Sequence, residues 1–132
     1  MPQDDLNPNS DPRSASDILA SLSDSMFPAE CGEATIFIDT HGYDDDTPLH
    51  VLLWRGDTQG VRILIEAGAD VNALGEMSET PLHVAVTKEN LEAVRLLLAA
   101  GADCCLVSEF GKTPKERAAV IGLDILTYFP KI

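Results

Sequence analysis

Basic residues are scarce in this chain: 9 Lys and Arg stand against 22 Asp and Glu among 132 residues, a formal charge of -13 at pH 7. Such a field repels nucleic-acid phosphates and anionic membranes and attracts basic proteins. Neither nucleic acid nor membrane is therefore expected as a partner. Cysteine is also sparse, and Cys31, Cys104 and Cys105 form neither a CxxC pair nor an even disulfide framework. Adjacent Cys104 and Cys105 are poorly placed to bridge each other, so reduced thiols and a cytoplasmic location are expected. No apolar run approaches membrane-spanning length, and Met1-Pro2-Gln3-Asp4-Asp5 lacks the basic head and apolar stretch of a secretory signal. Equally missing are the GxSxG, HExxH, phosphate-loop and dinucleotide-binding glycine patterns, so nothing supports an enzyme, a cofactor or a small-molecule substrate.

What the sequence does contain is repetition. Thr47-Pro48-Leu49-His50 returns as Thr80-Pro81-Leu82-His83, and a worn copy, Thr113-Pro114-Lys115-Glu116, follows after the same interval. Gly68-Ala69-Asp70 and Gly101-Ala102-Asp103 keep that interval too. Residues 42–74 and 75–107 align without a gap and agree at 13 of 33 positions. In each unit Thr is positioned to cap a helix whose first residue is Pro, where the missing N–H costs nothing. First helices are predicted near 48–55 and 81–88. Second helices carry Val61, Ile63, Leu64, Ile65 and Val94, Leu96, Leu97, Leu98, and end at Gly68 and Gly101 as a left-handed cap requires. A third pair is predicted near 114–129.

The period and the Thr-Pro-Leu-His phrase resemble the ankyrin repeat, a β-turn followed by two antiparallel helices. The resemblance implies an all-α solenoid of three units, 42–74, 75–107 and 108–132, with β-turn fingers and a non-repeat N-terminal cap. It covers residues 42 to about 129, and none of residues 1–41. Three departures stand out. Leu52 occupies a place where the family has Ala, as Ala85 and Ala118 do, which predicts that the first pair of helices spreads to admit it. Glu89 stands where Gly56 and Gly122 supply glycine between helices, so a left-handed non-glycine residue is expected there at about 1 kcal/mol. Lys115-Glu116 and Pro130 make the last unit a polar, shortened terminal cap.

Residues 1 to about 15 hold three prolines and almost no apolar side chains, so a disordered tail is predicted. Ile18, Leu19, Leu22 and Met26 then fall at helical spacing, with Ser16 as the expected N-cap and Pro28 as a stop. Ala34-Thr35-Ile36-Phe37-Ile38 reads as a brief extended segment. Residues 16–41 together would cover the exposed flank of the first repeat. His50 and His83 occupy the family's signature histidine, which implies structural hydrogen bonds between neighbouring units and not catalysis. Cys31 and His41 lack a second ligand pair, and Asp44-Asp45-Asp46 lacks the alternating ligands, glycine and distal Glu of a calcium loop. No metal is expected, and the aspartates read as surface charge.

In ankyrin proteins partners meet the finger tips and the inner face of each first helix. Carried over, the tips are Tyr43, Asp44 and Asp46; Glu76, Met77 and Glu79; Glu109, Phe110 and Lys112. The helix positions are Trp54 and Arg55, Thr87 and Lys88, Val120 and Ile121. Large apolar groups alternate with carboxylates, a mixture suited to a basic protein partner, with aromatics as anchors and acids steering the encounter. The alternative is that the acids only solvate the tips while Trp54 fills a gap in the core. Compactness and acidity together resemble the small ankyrin-type immunity proteins of bacterial polymorphic-toxin and contact-dependent inhibition systems. That likeness implies a cytoplasmic antitoxin occluding a basic toxin domain; a general adaptor or scaffold would use the same face.

Overall fold

The computed structural model describes residues 12–30, 35–122 and 129. Seven helices run through these residues: α1 (Ala15–Ala20), α2 (Ser23–Met26), α3 (Pro48–Arg55), α4 (Thr58–Glu66), α5 (Pro81–Thr87), α6 (Leu91–Ala99) and α7 (Pro114–Ile121), with short 3-10 turns at Pro28–Glu30 and Glu76–Ser78. No strand occurs among the described residues. The first helices α3, α5 and α7 stack in one layer and the second helices α4 and α6 in another, with α1 packed on α4 at the N-terminal end. Between the layers lies a single apolar core, in which Leu49, Leu53, Val61, Leu64, Leu82, Val94 and Leu97 are almost completely buried. The second half of the expected 114–129 pair falls mainly on residues outside the described ones.

Local sequence explains where the helices start. The Thr80 hydroxyl accepts from the His83 N–H at 3.3 Å while the His83 Nδ1 accepts from the Thr80 N–H at 3.0 Å. Thr113 and Glu116 make the same reciprocal box, at 3.1 and 2.9 Å. Each His then bridges onward: His50 Nε2 donates to the Glu79 carbonyl at 2.8 Å, and His83 Nε2 to the Lys112 carbonyl at 2.9 Å. The ring is thus fixed as the neutral tautomer with its proton on Nε2, linking one unit to the next finger, as the family resemblance implied. Glu89 adopts the expected left-handed conformation, φ 53°, and Gly68 and Gly101 cap α4 and α6 at φ 100° and 93°. Gly122 differs, being extended at φ 166°.

The N-terminal cap departs from expectation. Its helix starts two residues before the expected position, with Ser14 in place of Ser16 as N-cap, in a reciprocal box with Asp17 (3.1 and 3.0 Å). Because α1 packs on α4, it extends the second-helix layer one unit upstream. The helical run breaks at Ser21–Leu22 into α1 and α2. Arg13, placed by composition in the tail, makes a bidentate pair with Asp57, the α4 N-cap, at 2.6 and 3.0 Å. Residues 1–11 and 31–34, which include most of that tail, Cys31 and Ala34, lie outside the described residues. Downstream, Asp39 Oδ1 accepts from the Asp70 N–H at 3.1 Å, and one unit later Asn72 Oδ1 accepts from the Asp103 N–H at 2.7 Å. The segment 35–41 is therefore the outgoing linker of a degenerate unit, in register with the others.

Leu52 is accommodated against a glycine of the facing helix. It is 2% exposed, and a Cβ placed on Gly60 of α4 would stand only 3.0 Å from Leu52 Cδ1. In the next unit the corresponding pair is Ala85 and Ala93, so large-against-none replaces small-against-small at the same contact.

Burial lowers the His50 pKa to about 4 and lowers that of His83 as well. A histidine held neutral in the fold is protonated below about pH 6.5 once unfolded. The unfolded state then binds more protons, so stability is complete above pH 6.5, falls between 6.5 and about 4, and levels off below. Denaturant midpoints measured from pH 7.5 to 4 should show this decline, with the His50 ring signal still neutral at pH 5 in the folded protein. A folded-state His50 titrating near 6.5 would contradict it.

Candidate protein-binding surface

Three fingers project beside the first-helix layer, each closed by a bond repeated at the unit interval: Gly42 N–H to Asp46 C=O (2.9 Å), Gly75 N–H to Glu79 C=O (2.8 Å) and Ser108 N–H to Lys112 C=O (3.2 Å). The turn demands a left-handed residue at its fourth position, met by Asp45 (φ 71°), Ser78 (φ 58°) and Gly111 (φ 85°). Met77 is left-handed too, φ 59°, which for a long side chain is a strained conformation held at the tip of the second finger. The Met77 carbonyl accepts from the Glu109 N–H at 2.9 Å, tying the second finger to the third.

Between the second and third fingers and the helices lies an open groove of about 520 Å3 lined by Trp54, Glu76, Met77, Glu79, Thr87, Phe110 and Arg117. Six of these seven come from the face the family resemblance implies, drawn together from α3, α5 and two fingers. Trp54 is 44% exposed and Phe110 63%. Trp54 thus faces the groove and does not plug the core. Tyr43, Arg55, Lys88, Glu109 and Lys112 are exposed but lie outside the lining, as do Val120 and Ile121 on α7 and the half-buried Asp44. The Arg55 guanidinium donates to the Ser25 hydroxyl of α2, and Glu109 accepts from the Ser78 hydroxyl at 3.3 Å.

Two acids expected at the tips are structural. Asp46 is 5% exposed, and its Oδ1 accepts from the Glu76 N–H at 2.9 Å, joining the first finger to the second. Burial, opposed by that hydrogen bond and reinforced by the charges of Asp44 and Asp45, raises its pKa. The aspartate run is accordingly surface charge only in part. Carboxylate oxygens of Asp44, Asp46 and Glu76 lie within 4.8 Å of one another, but one of them is already committed to the Glu76 N–H. Glu79 is 7% exposed and grips Arg117 in a bidentate pair, 2.7 Å at each oxygen. Burial alone would push the Glu79 carboxyl up; hydrogen bonds from Arg117 and Ser108 outweigh it and hold the pKa below the usual range.

Arg117 is the groove residue that sequence reasoning passed over. A signal was present: the two preceding units carry Val51 and Val84 at this position, and a charge in a half-buried apolar place demands a counter-charge. Cys104, at the place of Val71 in the preceding unit, is half-buried against the core, and Cys105, at the place of Asn72, is exposed.

A fold of stacked helix pairs with register-true fingers defines a solenoid repeat protein. The chain matches the family model for ankyrin repeats, in three copies, over residues 19–123, and it belongs to that family. The match begins well upstream of Gly42, which agrees with the in-register Asp39 and corrects the expectation that residues 1–41 lie wholly outside the resemblance. No curated protein matches the chain. Ankyrin repeats are protein–protein interaction modules, so the partner is a protein. No helix among the described residues is long and apolar enough to cross a membrane.

Proposed function

We propose that this chain is a non-catalytic binding module that holds a basic protein against the groove between its second and third fingers, and that it acts as a cytoplasmic immunity protein, occluding a toxin domain stoichiometrically. The observation that carries the reading is the groove itself: Trp54, Met77 and Phe110 are exposed apolar groups converging on one face, rimmed by Glu76 and Glu109 on a chain of net charge -13. Burying such anchors supplies affinity, while rim carboxylates raise the encounter rate with a cationic partner. An adaptor would use the same groove; it would leave its partner's activity intact.

Affinity capture from the native cell, followed by assay of the captured protein with increasing amounts of this chain, tests the role. Inhibition complete at one equivalent supports an immunity protein, and an undiminished activity refutes it. Charge steering has its own test. Association should slow steeply with ionic strength, and neutralising Asp44, Glu76 and Glu109 together should lower the association rate more than it raises dissociation. Asp46 and Glu79 have no part in that set because both are buried. An association rate indifferent to salt and to the three neutralisations would reduce the acidity to a matter of solubility.

A further inference from the structure

Arg117 is the cation among the described residues that line the groove. Where Val51 and Val84 sit in the preceding units, α7 presents an arginine whose side chain is only 17% exposed, against a Glu79 side chain that is 9% exposed. Its Nη1 donates to Glu79 Oε1 at 2.7 Å, to the Thr87 hydroxyl at 3.0 Å and to the His83 carbonyl at 3.4 Å, and its Nη2 donates to Glu79 Oε2 at 2.7 Å. Finger, α5 and α7 are thereby clamped together at the groove wall. The corresponding acid of the first finger, Asp46, is satisfied by the Glu76 backbone N–H, so the second finger's acid alone is answered by a cation from the following unit.

We infer that Arg117 determines the specificity of the groove: by cancelling the Glu79 charge it makes the groove take an uncharged apolar side chain as its anchor, from a partner segment whose Lys or Arg residues flank that anchor and pass over Glu76 and Glu109. The inference rests on the groove being the partner-binding face. Both Glu79 carboxylate oxygens already accept from the Arg117 guanidinium, so a cationic anchor seated against them would lose its hydration and find the Glu79 charge already answered. An acidic anchor fares no better, since the guanidinium is already neutralised and the rim repels it. An apolar side chain gives up nothing and covers Trp54, Met77 and Phe110. The rim is different: Glu76 and Glu109 are exposed, and favour basic flanking residues. Neutral wall and acidic rim together specify an apolar anchor between basic neighbours.

Selection from a random peptide library displayed on phage, against the whole chain and with removal of every peptide that still binds Phe110→Ala, reads the anchor directly. Wild type should retain peptides with Leu, Met, Phe or Trp between Lys or Arg residues. Arg117→Val uncovers Glu79 and should shift relative affinity by about tenfold or more toward a Lys or Arg anchor. Glu79→Gln leaves the guanidinium unanswered and should shift it the opposite way, toward Asp or Glu. The double variant Glu79→Gln/Arg117→Val, with a neutral wall again, should return to apolar anchors, which a merely structural clamp would not do. Should Arg117→Val fail to fold, Glu79→Gln and the double variant still decide the matter. One anchor preference shared by all the folded variants, or Lys or Arg anchors in the wild-type selection, would overturn the inference and leave the groove standing. If no selected peptide depends on Phe110, the groove itself is not the binding face, and both readings fall.

Discussion

Phe110→Ala and Trp54→Ala should each weaken partner binding by about 2 kcal/mol or more, roughly thirtyfold, while leaving the unfolding midpoint within experimental scatter of wild type. Both side chains line the groove, yet Phe110 is 63% and Trp54 44% exposed in the free protein, so neither supports much of the core. Their apolar surface is covered only when a partner arrives. Calorimetric titration with the captured partner, alongside denaturant unfolding of each variant, separates the two effects. Trp54 is the single tryptophan of the chain, so its emission reports groove occupancy without a label. Wild-type affinity in both stable variants would remove the groove from consideration, and a large loss of stability in Trp54→Ala would return it to the core.

The largest effect on stability is expected at Leu52. Leu52→Ala should cost about 2 to 5 kcal/mol, because the side chain is almost wholly buried and the layers close around it. Gly60→Ala should also destabilise, since the new methyl would meet Leu52 Cδ1 at 3.0 Å and the Asp57 carboxylate at 2.7 Å. Together the two substitutions recreate the Ala85 and Ala93 contact of the following unit. The double variant should therefore be more stable than the sum of the single losses, by about 0.5 to 3 kcal/mol. Strict additivity in urea unfolding would mean that the two positions do not share one space. Asp57 caps α4 and pairs with Arg13, so part of the Gly60→Ala penalty reflects displacement of that carboxylate. Asn90, the matching α6 cap, tolerates Ala93 while still accepting its N–H at 3.1 Å.

The apolar anchors of the candidate surface were legible from the family's geometry, but two of its acids were misplaced there. Position in the repeat says which residues sit on a finger; it does not say which of them are already engaged. Asp46 and Glu79 occupy the same place in successive units, and both turned inward, one to the Glu76 N–H and the other to Arg117. A carboxylate at the foot of a finger has unsatisfied donors from the next unit within reach, and pairing with them outweighs exposure. Glu76 and Glu109, further toward the tips, stay exposed, Glu109 accepting only at the surface from the Ser78 hydroxyl.

Sequence by itself determined the unit, its period and its helices, because these depend on interactions within a few residues. Thr80 and His83, or Thr113 and Glu116, form their boxes across three positions, proline pre-sets the first turn, and Gly68 and Gly101 end the second helices wherever the unit recurs. The fixed interval then dictates that like stacks on like. Tertiary structure alone decided how far the array extends and what its groove offers. The upstream unit was hidden because it carries no Thr-Pro phrase and α2 breaks the helical pattern; the bond that Asp39 accepts from the Asp70 N–H, 31 residues away, shows that its linker keeps register. Likewise the Leu52 and Gly60 contact and the Glu79 and Arg117 clamp join residues on different elements, 38 positions apart in the second case. Whether a side chain is spent within the fold or left for a partner is settled by what the stacked neighbour brings within hydrogen-bond reach, and that distance is a property of the packed layers.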